Sequence, residues 1–267
     1  MTYRAKTVAA DVVLEGKGLH TGELVRLAIH PGADGIAFRY GTERTLARPE
    51  NVTDTTRSTK LGSVGTVEHL MATFAGLEIT DAEVELDAPE LPGLDGSALP
   101  YVTAILSVGL VEGETREAPD LYRRVFLQEG AMSLSIGKGT GHGRYVYDLG
   151  ERWPGVQTFE AADAVGAFPT EIAPARTLAL MEEVPKLIEL GLGRGLGPES
   201  AVILGDEGYK NAVRFEDEPA RHKLLDLMGD LYLAGIPLRA LNFVGERSGH
   251  RAHVRAAAMV SEAVGKG

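Results

Sequence analysis

The stretch R-H-K-L-L-D-L-M-G-D-L-Y-L, Arg221 to Leu233, decides how the rest of the chain is read. At about 100° per residue, Leu224, Leu225, Leu227, Met228, Leu231 and Tyr232 cover well over half of a helix circumference. The exceptions fall in line. His222, Asp226 and Asp230 follow one another at i, i+4 and i+8, with Lys223 beside them. Such a helix either turns a solvated polar face outward or is packed on most sides with its polar stripe lining a cleft. In the second case a His and an Asp on successive turns reach one cation, and two His plus a carboxylate is a common catalytic zinc set. That reading requires a third ligand, a base and an acid elsewhere in the chain.

Composition narrows where they can come from. The chain has no Cys, so any metal sits on His, Asp or Glu, and disulfides and thiolate nucleophiles are excluded. A net charge of −11 argues against non-specific nucleic-acid binding but leaves room for a small anionic substrate met by a local basic pocket. At 267 residues, one or two domains are expected. Apolar runs stay well short of the roughly 18 residues of a membrane span. The start, M-T-Y-R-A-K-T, has no apolar stretch behind it, so no signal peptide is expected. A cytoplasmic, monomeric protein without stable membrane insertion is the expectation.

Residues 1–50 read as strands and turns. V-V-L-E-G runs into the Gly-rich G-K-G-L-H-T-G, and V-R-L-A-I-H and G-I-A-F-R-Y alternate with period two. T-V-E-H-L-M-A-T-F-A-G, Thr66 to Gly76, reads as a short helix with Thr66 as its cap and Gly76 at its end. The strand D-A-E-V-E-L-D, a turn and a helical stretch from Ser97 to Val111 follow. Charged, Pro-broken Glu112–Asp120 reads as an interdomain linker. The second half then echoes the first: L-Y-R-R-V-F-L-Q-E-G and A-M-S-L-S-I-G-K-G restate the opening strands, and an A-G precedes a strand in both halves. Two domains of similar α+β design are expected. Met181–Leu204 forms a separate helix, turn and strand unit that either walls a channel or covers the sheet.

The remaining chemistry comes from two short motifs. Glu68 and His69 are adjacent on the first helix and point about 100° apart, so His69 can ligate while Glu68 leans over a metal-bound water as base. His250, in S-G-H after the strand ending F-V-G, can protonate a leaving group, with Asp230 holding it cationic. Lys138, in G-K-G-T-G-H-G, is a candidate for a substrate phosphate. His30, His142 and His253 carry no evident chemistry, and His20 is either structural or near the site.

Taken together, G-L-H-T-G (18–22), T-V-E-H-L (66–70), L-D-G-S-A (94–98), A-R-T (175–177), F-E-D-E-P-A-R-H-K-L-L-D-L-M-G-D-L (215–231) and S-G-H (248–250) closely resemble the UDP-3-O-acyl-N-acetylglucosamine deacetylases, zinc amidohydrolases of lipid A synthesis. The resemblance implies His69, His222 and Asp226 as zinc ligands, Glu68 as general base and His250 as general acid with Asp230 as partner. It implies that Thr177 polarises the carbonyl and that Lys223 contacts substrate. A bound zinc with three protein ligands keeps an open position for water and the amide oxygen and brings the water's pKa towards ~7. The fold implied is two α+β domains, 1–113 and 114–267, each a sheet layered on helices with the helix layers face to face. Each domain carries a small insert, the second (about 181–204) forming a passage for the acyl chain.

The chain departs from the family pattern at named places. The 51–66 hairpin and the start of the second domain are short, and E-R-W-P (151–154) replaces an aromatic and a His before a Pro near the nucleotide. Leu178 stands where an aromatic is usual in the acyl passage, and Arg247 where a Lys often precedes S-G-H. Two other functions therefore stay open: a zinc deacetylase of another N-acyl sugar, and a catalytically silent sugar-nucleotide binder. Glu68, His250 and the complete ligand set weigh against the second.

Overall fold

The computed structural model describes residues 1–264. The first half runs β1 (Thr2–Val8), β2 (Val12–Lys17), β3 (Leu24–Pro31), β4 (Ile36–Tyr40), β5 (Glu43–Leu46), β6 (Val52–Asp54), β7 (Lys60–Leu61), α1 (Glu68–Gly76), β8 (Ala82–Leu86), α2 (Leu99–Val108) and β9 (Leu110–Glu117). The second runs β10 (Val125–Glu129), β11 (Met132–Lys138), β12 (Gly143–Asp148), β13 (Val156–Ala161), α3 (Ala164–Ala167), β14 (Leu178–Leu180), α4 (Val184–Glu189), β15 (Val202–Leu204), α5 (Glu218–Tyr232), β16 (Leu241–Glu246) and α6 (His250–Glu262). Period-two alternation builds the sheets. In β8, for example, Ala82, Val84 and Leu86 are buried while Glu83 and Glu85 point the other way.

The two halves repeat one topology. Their main sheets have the orders β2-β3-β8-β4-β5 and β10-β11-β16-β12-β13, so in each the last strand enters at the centre. That central strand is parallel to one neighbour, β4 or β12, and antiparallel to the other, β3 or β11. The centre of each sheet is apolar in register, Ile29 opposite Val84 in one and Ile136 opposite Phe243 in the other.

Helices α5 and α6 lie on the second sheet, and α1 crosses α5 so closely that a Cβ on Gly229 would come within 2.1 Å of the Glu68 carbonyl oxygen. Helix α1 is buried at every position, because it is enclosed between the first sheet and α5. One hydrophobic core therefore joins both halves, and the polar stripe of α5 lies inside it rather than on a solvated face.

Three local expectations differ from what forms. The charged run 112–120 is not a linker up to Glu117; it continues β9, which pairs antiparallel with β1 (Tyr3 opposite Arg116, Thr7 opposite Val111). No residue of β9 is buried, so no apolar alternation marks it in the sequence. The 113/114 boundary falls inside that strand. The helix expected over Ser97 to Val111 forms over Leu99–Val108, and Gly109 at φ +82° turns the chain into β9. Thr66 does not cap α1: it sits at φ +60°, and its hydroxyl donates to Glu90 Oε1 at 2.9 Å. The Met181–Leu204 unit does form, with β14 and β15 paired in parallel on either side of α4. Among the described residues, no helix is long and apolar enough to cross a membrane.

Candidate metal centre and catalytic cleft

Helices α1 and α5 bring His69, His222 and Asp226 to one point. Each offers a donor atom, and the three atoms lie within 4.8 Å of one another. Asp226 Oδ1 is 3.4 Å from His222 Nε2 and 3.8 Å from His69 Nε2, and the two imidazoles meet edge to face at 89° with centroids 5.1 Å apart. His222 Nδ1 faces the Ala175 carbonyl at 3.1 Å; a carbonyl only accepts, so this nitrogen carries the hydrogen and Nε2 keeps its lone pair. Burial pushes the His69 imidazole down to about 3 and lowers that of His222, which keeps both rings neutral.

Asp226 is the deciding residue. Burial disfavours its charge, yet the Lys223 ammonium, with Nζ 2.8 Å from Oδ2, holds the carboxyl well below the usual range. Its other oxygen, Oδ1, is buried with no hydrogen-bond partner. A buried anionic oxygen facing two imidazole edges is costly unless something cationic sits between them. Donor atoms on a tetrahedral zinc stand about 3.3 Å apart, so this nitrogen and oxygen set fits such an ion with little closure.

A carboxyl on α1 and an imidazole on α6 flank the cluster. Glu68 Oε2 accepts from the Thr59 backbone N–H at 2.9 Å, and burial pushes the carboxyl up to about 8 despite the nearby His250. His250, at the start of α6, has Nδ1 2.9 Å from Asp230 Oδ2. Burial opposes its charge, but the Asp230 carboxylate wins and pushes it up to about 9. His253, one turn further on, places Nδ1 3.1 Å from the same oxygen and Nε2 2.9 Å from Ser248 Oγ. Since a carboxylate only accepts, both imidazoles carry hydrogen on Nδ1. Ser248 then donates to His253 Nε2, and His250 Nε2 is the nitrogen left for a reacting atom.

These groups face a cleft of about 580 Å³ that also holds Thr177, Leu178, Lys223 and Arg247. One wall is apolar, built from Leu19, Leu178, Leu187, Leu192, Leu196 and Ala201, so the unit around α4 supplies most of it. Lys138 is not in the cleft. It is 68% exposed and pairs with Asp120 at 2.7 Å, at the end of β11 where the following turn bonds to Ala240 and Leu241. The E-R-W-P segment lines a separate hollow against Leu180 and Glu182, where Trp153 packs edge-on to Tyr209. His30 and His142 pair with Asp11 and Glu160 outside the cleft. His253, to which the sequence assigns no chemistry, shares Asp230 with His250, and its i+3 spacing puts both on one helix face. His20 lines the cleft with a buried, unpartnered Nδ1; Arg57 reaches it from a short hairpin whose sequence carries no motif, and Thr59 of the same hairpin lies buried behind it against Asp230.

Residues 5–262 match the family described as UDP-3-O-acyl N-acetylglycosamine deacetylase. The chain belongs to this family. Curated relatives named UDP-3-O-acyl-N-acetylglucosamine deacetylase include one from Myxococcus xanthus (strain DK1622), 36% identical over 253 residues, covering 89% of this chain and 80% of the relative. One from Nostoc sp. (strain PCC 7120 / SAG 25.82 / UTEX 2576) is 36% identical over 272 residues, covering 94% and 96%. A third, from Thermosynechococcus vestitus (strain NIES-2133 / IAM M-273 / BP-1), is 36% identical over 275 residues, covering 96% and 94%. The similarity spans both repeated sheets, so the deacetylase family accounts for the whole fold and not for one half.

Proposed function

We propose that the chain hydrolyses the N-acetyl amide of a UDP-3-O-acyl-N-acetylglucosamine to the free amine and acetate, an early step of lipid A synthesis in the cytoplasm. Zinc would be held by His69, His222 and Asp226, and when bound it supplies the Lewis acid that polarises the amide and acidifies water. The observation that carries this reading is the buried, unpartnered Asp226 Oδ1 among neutral imidazoles, with Glu68 and His250 in the same cleft. One chain contains every group of the site, so a monomer is sufficient.

The chain's own residues divide the work. Glu68, oriented by the Thr59 N–H, takes the proton of the attacking water. The Thr177 hydroxyl, placed where β14 begins, donates to the carbonyl oxygen as it gains charge. His250 gives a proton from Nε2 to the departing amine, which would otherwise leave as a poor anion, while Asp230 stabilises the imidazolium. Lys223 and Arg247 supply cationic contacts to the polar end of the substrate, and the wall around Leu178 receives the acyl chain.

The test is acetate release from this substrate by protein purified without added metal, whose zinc content is measured in parallel. Close to one zinc per chain is expected, and it should be lost in His69→Ala and Asp226→Ala. Glu68→Gln should keep the metal and lose about two to four orders of magnitude in rate. Equal turnover of the same acylated sugar without its UDP group would point instead to another N-acyl sugar.

A further inference from the structure

Thr59 lies just before β7 in the first half of the chain and is fully buried, yet no motif marks it. Its carbonyl accepts from the Val67 N–H at 3.1 Å, which clips it to the start of α1. Its own N–H donates to Glu68 Oε2 at 2.9 Å. Its hydroxyl donates to Asp230 Oδ1 at 2.5 Å, across the boundary between the halves. Asp230 Oδ2 already accepts from His250 and His253, so Thr59 is the side chain that holds the other oxygen.

We propose that Thr59 is a positioning residue that sets the general base and the general acid relative to each other. This rests on the functional roles proposed above for Glu68 and His250. One residue, fixed to one helix end, orients the carboxylate of α1 through its backbone and the carboxylate of α5 through its side chain. The Asp230 plane is thereby pinned at both oxygens, and the His250 ring follows it. His250 Nδ1 lies 3.4 Å from the Thr59 hydroxyl, but each of the two groups already directs its hydrogen at Asp230. Without the hydroxyl, Oδ1 becomes a buried acceptor with no donor, and rotation of the carboxylate carries the imidazole off the leaving group. A misplacement of about 1 Å at the reacting groups costs on the order of a hundredfold in rate.

The experiment compares Thr59→Val and Thr59→Ser in the full-length, zinc-loaded chain. Valine keeps the shape and the backbone N–H and removes only the hydroxyl; serine restores it. The valine variant is expected to lose about 10- to 100-fold in kcat with KM within about threefold, while serine stays near wild type. Zinc content should be equal in all three. The downfield proton resonance of a carboxylate-bound imidazole Nδ1–H should shift or broaden in Thr59→Val and persist in Thr59→Ser. If the valine variant does not fold, Thr59→Ala removes the hydroxyl without pressing a methyl on the carboxylate, and the same expectations apply. A wild-type kcat in a hydroxyl-free variant would overturn the proposal, as would an equal loss in valine and serine. Wild-type protein that releases no acetate would overturn the substrate reading instead, and the imidazole resonance would still decide the clamp: if it is the same with and without the hydroxyl, Thr59 positions nothing.

Discussion

Asp230 contributes no atom to the metal cluster, yet three donors converge on its two oxygens and none of them is exposed. In the proposed mechanism its effect on the reaction goes through the protonation of His250. The proposed chemistry needs His250 charged and Glu68 ionised, so the rate should rise through one pKa and fall through another. His250 is pushed up to about 9, because the Asp230 carboxylate outweighs burial. Glu68 is pushed up to about 8 by burial. A divalent cation beside both lowers both, so the alkaline limb should lie below about 9. In Asp230→Asn the imidazolium loses its charge partner while burial remains. His250 then gives up its proton at lower pH, and the alkaline limb moves down with it. A profile of kcat/KM against pH for wild type and Asp230→Asn checks this. A limb that stays in place would mean that His250 is not the group titrating there.

Helix α5 shows what an element reveals in sequence and what it hides. The i, i+4, i+8 stripe was legible because helical geometry alone puts His222, Asp226 and Asp230 in line. Its neighbour Gly229 carries no such signal. A helix-interior Gly costs about 1 kcal/mol relative to Ala, so sequence alone marks it as a flaw. The structure supplies the reason: α1 crosses there, and an added Cβ would stand 2.1 Å from the Glu68 carbonyl oxygen and 3.0 Å from the Ala72 nitrogen. Thr59 was hidden for a related reason, since its hydrogen bond to Asp230 joins distant segments and leaves no local spacing to read. Gly229→Ala should therefore reverse the usual propensity gain. The backbone of α1 must move, and overpacking of this kind costs typically about 1–3 kcal/mol, more than the helix gains. The same shift separates Glu68 and His69 from His222 and Asp226, so zinc affinity should fall along with the midpoint of thermal unfolding. A variant that melts higher than wild type would show that the crossing has room.

The repeated sheet order makes the molecule two copies of one design, but the cleft belongs to neither copy alone. The echo of Gly-rich turns and A-G pairs was legible because both halves use the same strand and helix ends. How the halves close over the site was not, because glycines in a loop look alike until their neighbours are known. Gly195 is one of them. The Arg194 and Gly195 N–H groups donate to the carbonyls of His20 and Leu19, both at 3.2 Å, so the segment after α4 is strapped to the first half. A Cβ on Gly195 would lie 2.1 Å from the Gly18 carbonyl oxygen, which leaves no room for any side chain. The ion pair of Arg57 with Glu183 at 3.5 Å adds a second link, but it is exposed and such pairs are worth about 0–1 kcal/mol. Gly195→Ala must then lift the segment away from Leu19 and loosen the apolar wall that Leu192 and Leu196 complete. The metal cluster lies on α1 and α5, outside the displaced segment, so zinc content should not change. On the proposed substrate, KM should rise for a long acyl chain because each methylene that loses the wall forfeits about 0.8 kcal/mol, while kcat changes little. An analogue bearing only a short acyl group gains little from the wall and should be turned over by Gly195→Ala and wild type alike. Equal losses on long and short chains would place the defect at the reacting groups and not at the wall.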